Sequence, residues 1–206
     1  RSMEEDTIFE RNVPGTTAIL RRAVVGIAGC GGIGSNAAVS LVRAGVGGLI
    51  LVDHDRVEAS NLNRQHFFGE DVGRPKVEAL ADRLRSIAPG LRLDLHDAEL
   101  SPAGVPAIFA EADLLVEAFD RAEAKRWLIE AWCAAFPDRH IVVGSGLAGL
   151  GRTGALRVHS SGRIHVCGDE ESDMSMGLCA PRVAIVANMQ ANVAVEILVG
   201  EGKGEG

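Results

Sequence analysis

The stretch Gly29-Cys30-Gly31-Gly32-Ile33-Gly34 has the spacing GxGxxG, and its meaning depends on what flanks it. Before it, Ala23 to Ala28 (AVVGIA) is a short apolar run that reads as a buried strand. After it, Ser35 to Ala44 (SNAAVSLVRA) reads as a helix that stops near Gly45. Between a strand and a helix, glycines permit a tight turn and let the backbone approach a phosphate held by helix-terminal N–H groups. Without those flanks the same spacing is a weak signal, which close helix–strand packing alone could also explain. Asp53 follows a second apolar run, Leu49 to Val52, and is placed to accept hydrogen bonds from a ribose hydroxyl. Glycine turn, flanking elements and acid together point to a nucleotide.

The residues beyond Asp53 bear on which nucleotide. Asp55 is a second acid. Ser60-Asn61-Leu62-Asn63-Arg64-Gln65 gathers a hydroxyl, amides and a guanidinium, and Lys76 lies at the start of another helix. A planar Arg64 and a point-charge Lys76 suit the β- and γ-phosphates of ATP. On chemistry alone, a solvated loop beside a helix-surface lysine remains open. Asp120 falls just after an apolar run, Leu114 to Ala118, where parallel sheets place their ligands. It could equally cap the helix that begins near Ala122. Arg11 has no positional argument of its own.

The elements that must hold these residues alternate. Pro75 suits the first position of a helix, with Val77, Leu80, Ala81, Leu84 and Ala88 at helical spacing and Pro89-Gly90 closing the run. Leu91 to Leu95 alternates like a strand near an edge. Ile141 to Val143 is a further central strand, after a helix over about Ala122 to Ala135. The expected class is α/β: a Rossmann-like, mostly parallel sheet with helices on both faces. Past Gly151, Ala155 to His159 and Arg163 to Cys167 read as two strands about a Ser160-Ser161-Gly162 turn, a small C-terminal antiparallel extension. A long helix over about Pro181 to Leu198 closes the chain. The division expected is an N-terminal arm, 1–22, which carries a short helix near Thr17 to Arg22, and one nucleotide-binding domain, 23–206.

Composition narrows the partners. The 206 residues, 47% hydrophobic, suffice for one substantial core. Acidic residues number 28 against 21 basic, a formal charge of −7, which disfavours a general nucleic-acid surface. No apolar run approaches the ~20 residues of a bilayer span, so no membrane association and a cytoplasmic location are expected. Cys30, Cys133, Cys167 and Cys179 form no CxxC pair, so no structural zinc and no disulfide framework are expected.

The segments GCGGIGSN, LVDHDRVEASNLNRQHFF and DVGRPKVEAL resemble the E1-like adenylyltransferases of the thiamine and molybdopterin pathways, which are related to ubiquitin-activating enzymes. The likeness is greatest to the short thiamine-biosynthesis form, whose RN-x-PG stretch matches Arg11 to Gly15. It extends to GLCAPRVAIVANMQANVAVEILVG at the end of the chain. The resemblance implies adenylation of the C-terminal glycine of a small ubiquitin-like sulfur-carrier protein with a Gly-Gly tail, with release of pyrophosphate. It implies ATP surrounded by Gly29, Gly31, Gly32 and Gly34, with the ribose on Asp53. Asp55, Asn61, Arg64, Gln65 and Lys76 fall within the matching nucleotide-binding segments. Of these, Asn61, Arg64 and Lys76 match residues that grip the triphosphate, Asp120 matches an acid that places Mg²⁺, and Arg11 matches an arginine that reaches the partner's site in a homodimer.

Two departures bear on later steps: relatives often hold zinc with two CxxC pairs, absent here, and the segment before the closing helix is short. Cys179 is therefore expected to be dispensable for adenylation, with any role confined to later sulfur transfer. The alternatives are an NAD-dependent oxidoreductase on the same nucleotide-binding half, or adenylation of a non-protein carboxylate such as a modified tRNA base.

Overall fold

The computed structural model describes residues 7–202; the first residues of the arm, 1–6, and residues 203–206 lie outside the described residues. A seven-stranded sheet forms the centre. Its strands are β1 (Val24–Ala28), β2 (Gly48–Asp53), β3 (Arg92–Asp97), β4 (Leu114–Glu117), β5 (His140–Gly144), β6 (Arg157–Ser161) and β7 (Ile164–Gly168). The spatial order is β3-β2-β1-β4-β5-β7-β6, parallel throughout except for the β6–β7 hairpin. The antiparallel extension expected from sequence is therefore built into the sheet itself.

Helices cover both faces because strand side chains alternate between them. Val25 and Ile27 of β1, Leu49 and Leu51 of β2, and Leu114 and Val116 of β4 face one core. Helices α2 (Gly32–Ala44), α3 (Lys76–Ile87) and α6 (Ala180–Gly202) close it. Leu20, ending the short helix α1 (Thr17–Leu20), joins that core, so the last turn of the arm is fastened to the domain. Ile50, Leu115, Ile141 and Val143 face the other core. There α4 (Val105–Ile108) leads into Phe109, and α5 (Ala122–Ala135) supplies Leu128 and Trp132. Gly26 makes room for Phe109, whose ring lies 2.7 Å from where a Cβ on that glycine would stand.

The element boundaries differ from the sequence reading in informative ways. Helix α2 begins at Gly32, so part of the glycine turn is already helical. Pro75 is the N-cap of α3 and its first helical residue is Lys76. The hairpin strands start later than read, and its turn falls at Gly162-Arg163. Helix α6 has 23 residues with a mean hydropathy of 1.6 over its most apolar stretch, long and apolar enough to cross a membrane where the sequence reading found no such run. It nevertheless inserts polar groups into the protein. Arg182 and Gln190 are buried, and Gln190 donates its Nε2 to Glu117 O (2.9 Å) and Val142 O (3.2 Å), bolting the helix across β4 and β5.

Candidate active site

Strand order reverses at β1, whose neighbours β2 and β4 lead away in opposite directions, and a cleft of about 730 Å³ opens at the C-terminal ends of these strands. Such a switch point is where open α/β sheets bind ligands. Gly29 leaves β1 with φ of 95°, a conformation that favours glycine, and the space for a side chain is filled by Ala118 O at 2.8 Å. Gly31 is the N-cap of α2 with no side-chain cap, so the helix offers its first N–H groups to the cleft. Gly29, Gly31 and Gly32 line the cleft. Gly34 does not. It packs against the carbonyl of Gly29, which would lie 1.8 Å from a Cβ there, and its role is to let helix and strand approach.

Asp53 closes β2 and lines the cleft. Its carboxylate accepts from Cys30 N at 2.6 Å and from Asp55 N at 2.7 Å, which fixes it between the glycine turn and the following loop. Each oxygen retains a further lone pair for a ligand hydroxyl. Lys76 lines the cleft but is only 5% exposed, and its Nζ pairs with Asp55 at 2.8 Å. Burial pushes the Asp55 carboxyl up, but the Lys76 hydrogen bond and charge outweigh it and hold it below the ordinary range.

The Ser60–Gln65 loop is latched to α2 by residues the sequence reading did not single out. Asn36 donates its Nδ2 to Gly32 O (2.7 Å) and to Arg64 O (2.9 Å), and His66 N donates to Ser35 Oγ (2.9 Å). Arg64 therefore stands over Gly32, its side chain held by Ser60 O at 3.2 Å and Asn63 Oδ1 at 2.8 Å, with no carboxylate paired to it among the described residues. Gln65 is buried and lines the cleft, and its Oε1 has no partner among the described residues. Asn61 is not a lining residue: its Oδ1 accepts from Glu58 N at 2.9 Å and shapes the loop from within.

Asp120 lies after β4, is exposed, and lines the cleft. The N-cap of α5 is Arg121, and no side chain caps that helix, so the Asp120 carboxylate is not used there. Arg121 and Lys125 add positive charge to the same wall. Lys125 Nζ contacts both oxygens of Glu117, at 3.0 and 2.9 Å, and Gly144 O at 2.9 Å. Burial raises the Glu117 carboxyl, partly offset by Lys125. Phe119 and Trp127, with ring centroids 5.7 Å apart, give the cleft an aromatic side next to Leu100.

Besides Gly34 and Asn61, two further expected site residues lie outside the cleft. Arg11 is exposed and outside the cleft, and Asn12 beside it donates to Ala44 O (2.9 Å) at the far end of α2. At 1.5 Å per residue that helix separates it from the glycine turn by roughly 20 Å. Cys179 is half-buried just before α6, and its carbonyl accepts from Val183 N at 3.0 Å; its neighbour Leu178 lines the cleft and Cys179 does not. Of the other thiols, burial pushes Cys30 well up and Cys167 up to about 12, so neither is a ready nucleophile.

A glycine turn feeding an uncapped helix N-terminus, an acid at the end of the next strand and cations opposite define a nucleotide-binding α/β domain. The chain belongs to the ThiF family, whose model matches residues 8–205. It is 32% identical over 191 residues to the molybdopterin-synthase adenylyltransferase of Escherichia coli, covering 89% of this chain and 76% of that protein. It is 31% identical over 181 residues to the sulfur carrier protein ThiS adenylyltransferase of the same organism, covering 84% and 71%. The adenylyltransferase and sulfurtransferase uba4 of Emericella nidulans is 33% identical over 200 residues, but the chain spans only 41% of it. In fold, the chain matches the ATP complex of the E. coli tRNA N6-threonylcarbamoyladenosine dehydratase TcdA with a TM-score of 0.87, at 22% identity, over 99% of this chain and 97% of that one.

Proposed function

We propose that the protein adenylates the C-terminal carboxylate of a small ubiquitin-like carrier protein, using ATP and releasing pyrophosphate. The nucleotide half of this reading is supported by chemical fit. The glycine turn leaves room for phosphate beside helix N–H groups, and Gln65 Oε1 is a buried acceptor that needs a donor. Arg64 presents a guanidinium with no carboxylate of its own among the described residues. A carboxylate is already ionised at neutral pH, so attack on the α-phosphorus needs no strong base. It needs the two anions brought together and the growing charge neutralised, the task we assign to Arg64 and Lys76. Asp120, an acid facing the cleft and not used in capping, is the residue we assign to Mg²⁺, which when bound offsets phosphate charge.

The observation that carries the choice of acceptor is the character of the cleft's outer lip. Met174 lines the cleft and is 47% exposed; Met176, which lies against Gly149, is 54% exposed and Leu150, the residue after that glycine, 79%, with Glu170, Glu171 and Asp173 on the loop that carries the methionines. The arginines nearby are neutralised, Arg157 by Glu170 and Arg152 by Glu171. An apolar, acid-flanked lip favours a protein surface and repels a polyanion. We further assign Arg11 to the site of a second copy in a homodimer, since it cannot reach its own.

Pyrophosphate exchange into ATP tests the acceptor. Exchange should depend on an added ubiquitin-like carrier ending in Gly-Gly and should be absent with tRNA bearing a threonylcarbamoyl-adenosine. Exchange driven by the tRNA alone would replace this reading with the second one, adenylation of a modified base.

A further inference from the structure

Arg182, on the first turn of α6, is the one buried arginine among the described residues, at 4% exposure. Its guanidinium is divided between two loops. Nε donates to Ala148 O at 2.7 Å and Nη1 to Gly151 O at 2.6 Å, with Arg152 O at 3.5 Å, while Nη2 pairs with the buried carboxylate of Asp169. The other oxygen of Asp169 accepts from Glu171 N (2.9 Å), Ser172 N (2.8 Å) and Ser172 Oγ (3.0 Å). One cation and one anion thus fill each other's sites while gathering loops 145–152 and 169–178.

Those loops need a clamp. Arg152 (φ 50°) and Glu170 (φ 60°) are non-glycine residues in left-handed conformations, which persist only where the surroundings enforce them. A Cβ on Gly146 would meet Asp169 Oδ1 and Glu170 N, and the two loops touch through backbone, Asp169 N donating to Gly146 O at 3.0 Å and Glu170 N to Ser145 O at 3.1 Å. Gly149 N donates to Gly177 O at 2.8 Å and joins them into a single wall. That wall brings Leu147, Met174 and Leu178 to the cleft. By contrast, Asp53, Arg64 and Lys76 are held by α2, α3 and their own loops, with no bond to Arg182.

We propose that Arg182 is a positioning residue for the acceptor: with Asp169 it clamps both loops into the wall against which the carboxylate-bearing tail lies, independently of the nucleotide half. The acceptor part rests on the proposed function; the clamp does not.

The test uses the full chain with Arg182→Lys, which keeps the charge toward Asp169 but replaces three divergent nitrogens with one. Asp169→Asn serves as a second, milder variant. Hydrogen exchange should accelerate about 10-fold or more in 145–152 and 169–178, with β1 and α2 unchanged. Calorimetric ATP affinity should stay within about 3-fold, while the carrier KM in pyrophosphate exchange rises about 10-fold at nearly constant kcat. Faster exchange throughout the domain with weakened ATP binding would make Arg182 a general scaffold residue and overturn the proposal. So would unchanged loop exchange in folded variants, or an unchanged carrier KM. If the wild-type protein accepts no carrier, the acceptor reading falls, and loop exchange with ATP affinity alone decides the clamp.

Discussion

Gly34→Ala and Gly31→Ala should separate the two tasks a glycine turn can perform. At Gly34 an added Cβ would stand 1.8 Å from Gly29 O and 2.8 Å from Gly29 C, where contacts under 3.0 Å essentially never occur. The overlap with the oxygen is about 1.2 Å, and that oxygen cannot retreat. Gly29 N is bonded to Val52 O at 2.9 Å, and Ala118 O blocks the opposite side. Overpacking of this kind costs typically about 1–3 kcal/mol, and the strain against backbone puts it at the upper end. The better helix propensity of alanine returns up to ~1 kcal/mol, leaving a net loss of about 2 kcal/mol. For a domain of this size that lowers Tm by roughly 4–8 °C.

At Gly31 the added Cβ would meet only Gln65 Nε2, at 3.5 Å, an ordinary contact. Replacing this N-cap glycine should cost about 1 kcal/mol. Its methyl would, however, project at the helix terminus where the phosphate is expected, and ATP affinity should drop about 10-fold or more. Thermal melts and calorimetric ATP titrations of both variants provide the measurement. A Gly34→Ala protein as stable as wild type would refute the packing argument. Unchanged ATP affinity in Gly31→Ala would remove the α2 terminus from the phosphate site.

Arg64→Ala and Lys76→Ala should each depress carrier-dependent pyrophosphate exchange by about 100-fold. Lys76→Ala should fold normally, because the Asp55 left behind is 54% exposed and water can solvate it; normal exchange in both variants would sink the assigned chemistry. Mixing inactive Arg11→Ala chains with inactive Lys76→Ala chains should restore activity, since a hybrid dimer holds one intact composite site; verified hybrids without activity would place the whole site within one chain. Stability should fall between pH 7.5 and 5.5. His140 Nε2 lies 2.8 Å from Arg163 Nη1 and 3.3 Å from Glu201 Oε1, His140 Nδ1 shares a hydrogen bond with His165 Nε2 (2.7 Å), and His165 Nδ1 shares one with Ser160 Oγ (2.7 Å). Burial, with Arg163 acting on His140 and His140 on His165, holds both imidazoles below the ordinary value despite Glu201 and Glu196 nearby. Their contribution is complete above the unfolded value of ~6.5 and is lost as pH falls through it toward the folded ones. Urea midpoints at the two pH values check this, and a pair of His→Gln changes should flatten the difference.

Much of this fold could be read from local pattern. Helix α5 runs from Ala122 to Ala135, the span its composition suggested, and all of LRLDL but Leu91 lies in β3, which forms the edge of the sheet as its alternation implied. Boundaries slipped where local signals conflict with tertiary ones. Glycines argue against helix, yet Gly32 and Gly34 lie in the first turn of α2, because close approach to Gly29 outweighs their poor propensity. Strand β6 is exposed along its whole length and carries no apolar alternation to mark its start. The turn Val105–Ile108 is too short to show a period.

The candidate site divides along the same line. Gly29, Gly31, Asp53 and Lys76, which the structure brings to one cleft, stand out in the sequence because each lies at the end of an element whose type is legible, while Arg64 lies in a loop and stands out by residue type alone. What joins them does not. Asn36 reads as an ordinary helix residue until its amide is seen to hold both Gly32 O and Arg64 O, and nothing in the neighbouring sequence pairs those two segments. Glu117 is the acidic end of an apolar strand and Arg182 a lone cation in an apolar helix; each has its partner, Lys125 or Asp169, on another element. A charge in an apolar run is costly unless paired. That cost is the signal such a sequence does carry: it announces that a partner exists, while the fold alone says which. In this chain Lys125 lines the cleft and Asp169 opens the loop that carries Met174 and Leu178 to it, so the two charges that looked out of place by composition are the ones that brace its walls.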